Sequence, residues 1–293
     1  MTKALVVGGQ GFLGQEIMRK MIEVGLEVKS LSRKSTINQD FEHFMGDFGN
    51  QESNKKIFSN WVPEIVIQTA WITKHDAYRN SPLNEDYAKS TLQFAEQCFR
   101  AGASHFLALG SSAEYGFTEV PSFAESSPTK PEDLYSKAKI WTSKGLITLG
   151  QKYSRKVSWL RVFQPYGPGQ DSSRLLPSYV AAARRGARFH VGKPNDILDW
   201  ISSRDVASAV LFTIENSLPN ILDVGTGIGT SVIDTLRKTA TVIGSDPSLV
   251  VSSEIEMGGN PLKLLVDSRS AIFEAGWRPC DVLTKGLEWT FGT

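Results

Sequence analysis

Ala4-Leu5-Val6-Val7-Gly8-Gly9-Gln10-Gly11-Phe12-Leu13-Gly14 is an apolar run that breaks into glycines, and a helix-patterned stretch from Gln15 to Val24 follows it. The pattern reads as a buried strand that turns sharply into a helix. The first N–H groups of such a helix have no intrahelical partner and lie at the positive end of its dipole, so a diphosphate can settle against them. Glycine at positions 8, 11 and 14 lets the backbone come close to that ligand. The spacing differs from the tighter fingerprint of ordinary dinucleotide dehydrogenases, and by itself it also fits a plain glycine-rich turn. Gly8, Gly11, Phe12, Leu13 and Gly14 are the residues this reading assigns to a dinucleotide.

Outward from this stretch, short apolar runs alternate with longer segments, as in a parallel sheet with crossover helices. Strands are expected at Lys3 to Val7, Glu27 to Leu31, Ile65 to Thr69, His105 to Leu109 and Val157 to Val162. Helices are expected at Gln15 to Val24, Glu85 to Ala101 and Leu134 to Tyr153, where apolar residues recur at three- and four-residue steps. Gly25 and Gly102 stand where helix C-caps belong. The regularity weakens after Gln164, at Pro165, Gly167, Pro168 and Gly169. The expected fold class is α/β, a doubly wound parallel sheet over residues 1–164. A smaller mixed α/β substrate lobe over 165–293 would be interleaved with it. Helices at Leu176 to Arg185, Asp205 to Ile214 and Ser268 to Ala275 belong to that lobe in this reading, and a cleft would lie between the two parts.

The 293 residues, 41% of them hydrophobic, suffice for a large core. Lys and Arg number 32 against 31 Asp and Glu, so charge gives no reason to expect nucleic acid or a membrane surface as partner. Two cysteines, Cys98 and Cys280, suggest neither a disulfide framework nor a thiolate metal site, and a cytoplasmic protein fits best. No apolar run approaches membrane-spanning length. The four histidines show no paired metal spacing, so no metal is expected.

Tyr135 and Lys139 lie four residues apart at the start of a predicted helix, which puts both on one face. An ammonium beside a phenol favours the phenolate and brings a proton of ordinary pKa about 10 within reach of neutral chemistry. A solvated helix face is the alternative for this pair. The strand ending at Leu109 runs into Gly110-Ser111-Ser112-Ala113-Glu114-Tyr115-Gly116, at the edge where open parallel sheets hold ligands. Ser111 or Ser112 can polarise a carbonyl or pass on the Tyr135 proton; capping of a turn is equally compatible. Neither serine lies in a nucleophile elbow, which disfavours an acyl-enzyme hydrolase. His75, Asp76, Trp71, His190 and Trp200 also fall in loops or near the expected cleft, where packing is the commoner role for tryptophan.

Four ordered motifs carry a family resemblance: glycines 8, 11 and 14; Ser-Ser-x-x-Tyr-Gly at 111–116; Tyr135-x-x-x-Lys139; and Arg161-Val-Phe-Gln-Pro-Tyr-Gly-Pro-Gly169. With them the chain resembles an extended short-chain dehydrogenase/reductase of the nucleotide-sugar (NAD-dependent) epimerase/dehydratase family, over nearly its whole length. The resemblance implies a Rossmann domain, Tyr135 as catalytic acid/base, Lys139 as its partner and ribose ligand, and Ser111 as the third catalytic member with Ser112 as fallback. It further implies that Asp47 meets the adenine amino group, that Ala70 packs along the cofactor, and that a homodimer forms through the helices around 85–101 and 134–153. Leu222-Asp-Val-Gly-Thr-Gly227 resembles the group's late glycine segment, although it also looks like the glycine loop of a methyltransferase. Too little chain follows it for that second fold.

The second predicted strand ends in Ser30-Leu31-Ser32-Arg33-Lys34, without the carboxylate that would pair with the ribose diol of NAD(H). Ser32 and Arg33, with Lys34, suit a 2′-phosphate, so NADP(H) is expected over NAD(H). Dehydratases of the group place an Asp-Glu pair after the catalytic hydroxyl; here Ser112 and Ala113 occupy those positions, with Glu114 one residue on. The group's usual Asn is Gln164, and the Arg before Asp199-Trp200 is Leu198, leaving Arg174, Arg184, Arg188 and Arg204 as phosphate candidates. Ser112, Gln164, Arg174 and Arg204 are therefore the expected substrate contacts. The expected activity is NADP(H)-dependent reduction of a keto group on a nucleotide-linked 4-keto-6-deoxy sugar. The alternatives are a nucleotide-sugar epimerase with retained NAD(P) and a non-catalytic dinucleotide-sensing protein.

Overall fold

The computed structural model describes residues 1–33, 41–72, 78–116, 122–252 and 261–292. Lys34, His75 and Asp76 lie outside these residues. In chain order the first part holds β1 (Lys3–Val7), α1 (Phe12–Glu23), β2 (Glu27–Ser32), β3 (Glu42–Met45), α2 (Gln51–Asn60) and β4 (Ile65–Gln68). It continues through α3 (Leu83–Ala101), β5 (His105–Ser111), α4 (Leu134–Tyr153), β6 (Lys156–Val162) and β7 (Gln164–Tyr166). Next come α5 (Leu175–Ala183), β8 (Phe189–Val191), β9 (Ile197–Ser202), α6 (Ser203–Glu215), β10 (Ile221–Val224) and β11 (Gly229–Ser231). α7 (Val232–Val242), β12 (Val250–Ser252), β13 (Lys263–Leu264), α8 (Ala271–Glu274) and α9 (Leu283–Phe291) complete the chain.

A seven-stranded sheet runs β10-β6-β5-β4-β1-β2-β3, with every neighbouring pair parallel. Ala4 and Val6 of β1 pack in one buried cluster with Ile17, Met18 and Val210, while Leu5 and Val7 pack in another with Phe94, Cys98 and Leu146. Helices thus cover both faces of the strand, and this is why its apolar run is continuous rather than alternating. The strand order turns back between β1 and β4, opening a crevice at their carboxyl ends. A third cluster, with Tyr166, Tyr179, Trp200, Val232 and Leu287, packs β7, α5, β9, α7 and α9 together.

Two expectations about the later chain need correction. The helix foreseen at 205–214 is α6, and its Val206, Ala209 and Val210 belong to the same cluster as Ile17 and Met18, so it covers the large sheet. Ser268 to Ala275 shortens to α8, whose Ile272 and Phe273 join that cluster beside Leu222 and Val224 of β10. Leu222 to Val224 is the edge strand of the large sheet. Asp199 of β9 is fully buried, and its carboxylate accepts the N–H groups of Thr226, Gly227 and Val266 together with the Thr226 hydroxyl. Among the described residues no helix is long and apolar enough to cross a membrane.

Behind the carboxyl ends of β5, β6 and β10 lies a buried polar network. Arg161 donates to Glu114 at 2.8 Å and to the Tyr115 hydroxyl at 2.8 Å, and that hydroxyl donates to Asp223 Oδ2 at 2.6 Å. Glu125 accepts the Asp223 and Ala271 N–H groups. Burial pushes the Asp223 carboxyl up to about 8, Glu125 and Glu114 push the same way, and the Tyr115 hydrogen bond and Arg161 oppose them. A carboxyl that binds its proton more tightly folded than unfolded contributes most stability at acid pH and loses it as pH rises through the folded value. Asp223→Asn removes that titration while keeping an acceptor for Tyr115. In denaturant unfolding the variant should therefore gain on the parent progressively from about pH 4 to about pH 8, and no further above; a gap independent of pH would contradict this account.

Candidate active site

A cleft of about 870 Å³ opens at the crevice, lined by the glycine turn, the ends of β2, β4 and β5, the start of α4, and residues from the later chain. Its size is at the upper end of the roughly 300–1,000 Å³ of small-molecule sites. Gly8 takes φ +80°, a conformation side chains resist, and its N–H donates to the Leu31 carbonyl at 2.8 Å. Gly11 is the N-cap of α1 and supplies no side-chain cap, so the first turn keeps its donors for a ligand. A Cβ on Gly14 would stand 2.2 Å from the Gly8 carbonyl oxygen and 2.8 Å from Gly9 Cα, so only glycine lets the helix rest on the turn. Gln10 Nε2 is a buried donor with no partner among the described residues, beside this cradle. Uncapped amides, a glycine floor and an orphan amide donor fit an anionic dinucleotide.

At the adenosine end expected for such a ligand, Ser32 closes β2 and Arg33 follows. The Arg33 guanidinium donates to the Tyr87 hydroxyl at 3.2 Å and lies 3.9 Å from Asp47 Oδ2. Asp47 in turn accepts the Gly49 N–H at 2.9 Å, and both Asp47 and Ala70 line the cleft. Thr69, just past β4, donates its hydroxyl to the Val7 carbonyl at 2.8 Å and fixes the crevice wall between β1 and β4.

Ser111, Tyr135 and Lys139 converge on the cleft. Ser111 ends β5 and its Oγ accepts the Ala113 N–H at 3.2 Å, on the cleft that Tyr135 also lines. Tyr135 sits in the first turn of α4, which Asp133 caps by accepting the Ser136 N–H at 2.7 Å. Arg79 pairs with Asp133 at 2.7 Å and its carbonyl accepts the Tyr135 N–H at 2.8 Å, so the turn is held at two points. Lys139, one helical turn on, is buried; Nζ donates to the Leu109 carbonyl at 2.8 Å and lies 3.8 Å from the Trp71 ring centre and 5.6 Å from that of Tyr135.

Burial pushes the Tyr135 phenol well above its ordinary value, Tyr78 and Glu114 add to this, and the Ser111 hydrogen bond and Arg174 act against it. Burial also lowers Lys139 to about 7, against the pull of Glu114. The phenol is thus protonated at neutral pH, beside a lysine near its midpoint. Such a pair can deliver a proton to a ligand oxygen that hydrogen-bonds to Ser111.

Ser112, Gln164 and Arg174 line the same cleft, and the Arg174 guanidinium lies 5.0 Å from the Tyr78 ring centre. Arg204 is the one expected contact not brought there: it pairs with Asp281 at 2.7 Å and lies 4.1 Å from the Trp289 ring centre. Glu114, weighed in sequence as a reacting acid, is fully buried behind Ser111. Tyr78, Gln170 and Lys193 line the cleft without having been foreseen; each lies in a turn, loop or irregular stretch that no local pattern assigns to a pocket.

Residues 4–225 match the model of the NAD dependent epimerase/dehydratase family. A UDP-glucose 4-epimerase of Lactobacillus helveticus is 21% identical, the alignment covering 98% of this chain and 96% of that protein. A dTDP-4-dehydro-6-deoxyglucose reductase of Escherichia coli is 22% identical over 97% of this chain and 95% of its own. The crystal structure of a UDP-glucose 4-epimerase from Thermotoga maritima with UDP-glucose superposes with a TM-score of 0.84 at 24% identity, over 99% and 97% of the two chains.

Gly14→Ala should displace α1 from the Gly8–Gly9 backbone and weaken dinucleotide binding at least ~10-fold, with a loss of ~1–3 kcal/mol in stability. Gly11→Ala, whose methyl would meet only the Gly8 oxygen at 3.1 Å, should do markedly less. Calorimetric titration and denaturant unfolding of the two variants check the order.

Proposed function

Because the chain belongs to the NAD dependent epimerase/dehydratase family, we propose that it is an NADP(H)-dependent reductase of a keto group on a nucleotide-linked sugar, a 4-keto-6-deoxy sugar in particular. The observation that carries the reading is the convergence of Ser111, Tyr135 and, one helical turn on, Lys139 on the cleft that also contains the glycine cradle. Nicotinamide bound there supplies the hydride. Ser111 holds the carbonyl oxygen, and Tyr135 releases its proton to that oxygen as charge develops. Gly8, Gly11, Phe12, Leu13 and Gly14 hold the diphosphate, with Asp47 and Ala70 along the adenosine. Ser32 and Arg33 receive the 2′-phosphate; no carboxylate ends β2 to repel it, although Asp47 stands near the guanidinium. Ser112, Gln164 and Arg174 face the sugar nucleotide.

Two observations weigh against dehydration. Ser112 and Ala113 offer no acid and base after the hydroxyl, and the Glu114 carboxylate is engaged away from the cleft by Ser111, Trp159 and Arg161. The similarity to the E. coli reductase supports reduction. A second reading, epimerisation with retained NAD(P), is favoured by the similarity to the L. helveticus enzyme and uses the same three side chains. We further infer a cytoplasmic homodimer formed through α3 and α4, where Trp141 is 50% exposed.

NADPH oxidation measured against a panel of nucleotide-bound ketosugars tests the reading. Net oxidation supports reduction; epimerised product without oxidation promotes the second reading. Tyr135→Phe should lower turnover ~10²–10⁴-fold with NADPH binding intact, and full turnover in that variant would refute the assignment. Arg33→Ala should weaken NADPH binding ~10-fold or more while leaving NADH unchanged; equal effects on both would refute the 2′-phosphate contact.

A further inference from the structure

Glu114 is fully buried, yet its carboxylate touches the backbone of the residue that presents the hydroxyl. Oε1 accepts the Ser111 N–H at 2.9 Å and the Trp159 indole N–H at 3.0 Å, and Oε2 accepts Arg161 Nε at 2.8 Å. Three donors on two oxygens leave the side chain little freedom to rotate. Ser111 is held from both sides: its N–H by Glu114, and its Oγ by the Ala113 N–H, which leaves the hydroxyl proton free to be donated on the cleft that Tyr135 lines. Gly110 completes the fit, since a Cβ there would lie 2.3 Å from Trp159 Nε1 and 2.6 Å from Glu114 Oε1.

We propose that Glu114 is a positioning residue: held by Arg161 and Trp159, it fixes Ser111 against Tyr135 and places a negative charge behind Lys139. The inference rests on the reading of Tyr135 as proton donor. The charge acts in a definite direction, because Glu114 favours the ammonium of Lys139 and the protonated phenol of Tyr135. The other groups facing these two are Tyr78 and Arg174 across the cleft, the Arg79–Asp133 pair at the start of α4, and Arg161, which carries the counter-charge. Tyr115 and Asp223 close the network on the far side of Arg161. Removing the Glu114 charge therefore moves both titrations to lower pH, while shortening the side chain loosens Ser111 without removing the charge.

Two variants separate these effects. In Glu114→Gln, the Lys139 Cε resonance of isotope-labelled protein should titrate about one pH unit or more below the parent, whose midpoint is near about 7; the alkaline limb of any turnover should move the same way. An unmoved Lys139 midpoint overturns the proposal. Glu114→Asp keeps the charge but draws the carboxylate back ~1.5 Å, so the midpoint should stay while the Ser111 amide exchanges its hydrogen at least ~10-fold faster and turnover falls ~100-fold with the NADPH dissociation constant unchanged. Parent-like Ser111 exchange in that variant also overturns the proposal, and it decides the matter if Glu114→Gln does not fold. Neither resonance nor exchange depends on turnover, so a parent protein that reduces no ketosugar refutes the substrate reading separately.

Discussion

Parallel strands cannot be joined by tight turns. Each strand of the large sheet has to be left at its carboxyl end and re-entered from the opposite edge, and the connecting segments must cross a face. This constraint collects the glycine turn after β1, Arg33 after β2, Thr69 and Ala70 after β4, and Ser111 at the end of β5 along one rim. The reversal of strand order between β1 and β4 parts the crossovers and leaves a crevice there. α4 then needs only its first turn at the rim for Tyr135 and Lys139 to face what the crevice holds.

Much of this architecture was legible where burial and periodicity agree. β1 reads clearly because all of Ala4 to Val7 are fully buried, and α4 begins and ends at the expected residues because Asp133 caps it and its apolar spacing persists. β3 and α2 went unread for the opposite reason. β3 has no buried residue, and α2 buries only Asn54 and Ile57, so neither carries a strong pattern. α6 reads as a helix, but the cluster it joins is not legible, because an apolar stripe announces that it will be covered without saying by what. Asp281, 77 residues away, decided the fate of Arg204, and nothing in guanidinium chemistry distinguishes that carboxylate from a phosphate.

The site shows the same division. Residue types and spacing were enough to bring Ser111, Tyr135 and Lys139 together, since a strand end and one helical turn are local geometries. The environment that sets their protonation was not legible: Trp71 over the Lys139 ammonium comes from a separate segment, and Glu114, three residues after Ser111, turns inward beneath the Ser111 amide rather than toward the cleft. In a low-dielectric interior such neighbours outweigh intrinsic preference, so the chemistry of a phenol and an amine depends on which way nearby side chains turn as well as on their spacing.

Asp199 gathers amides from the loop that leaves β10 and from Val266 while itself belonging to β9. Glu125 likewise joins Asp223 of the large sheet to Ala271. Buried carboxylates of this kind, each accepting several N–H groups, lace β9 and α8 to the edge strand β10 and the loop that leaves it, segments remote from one another in sequence.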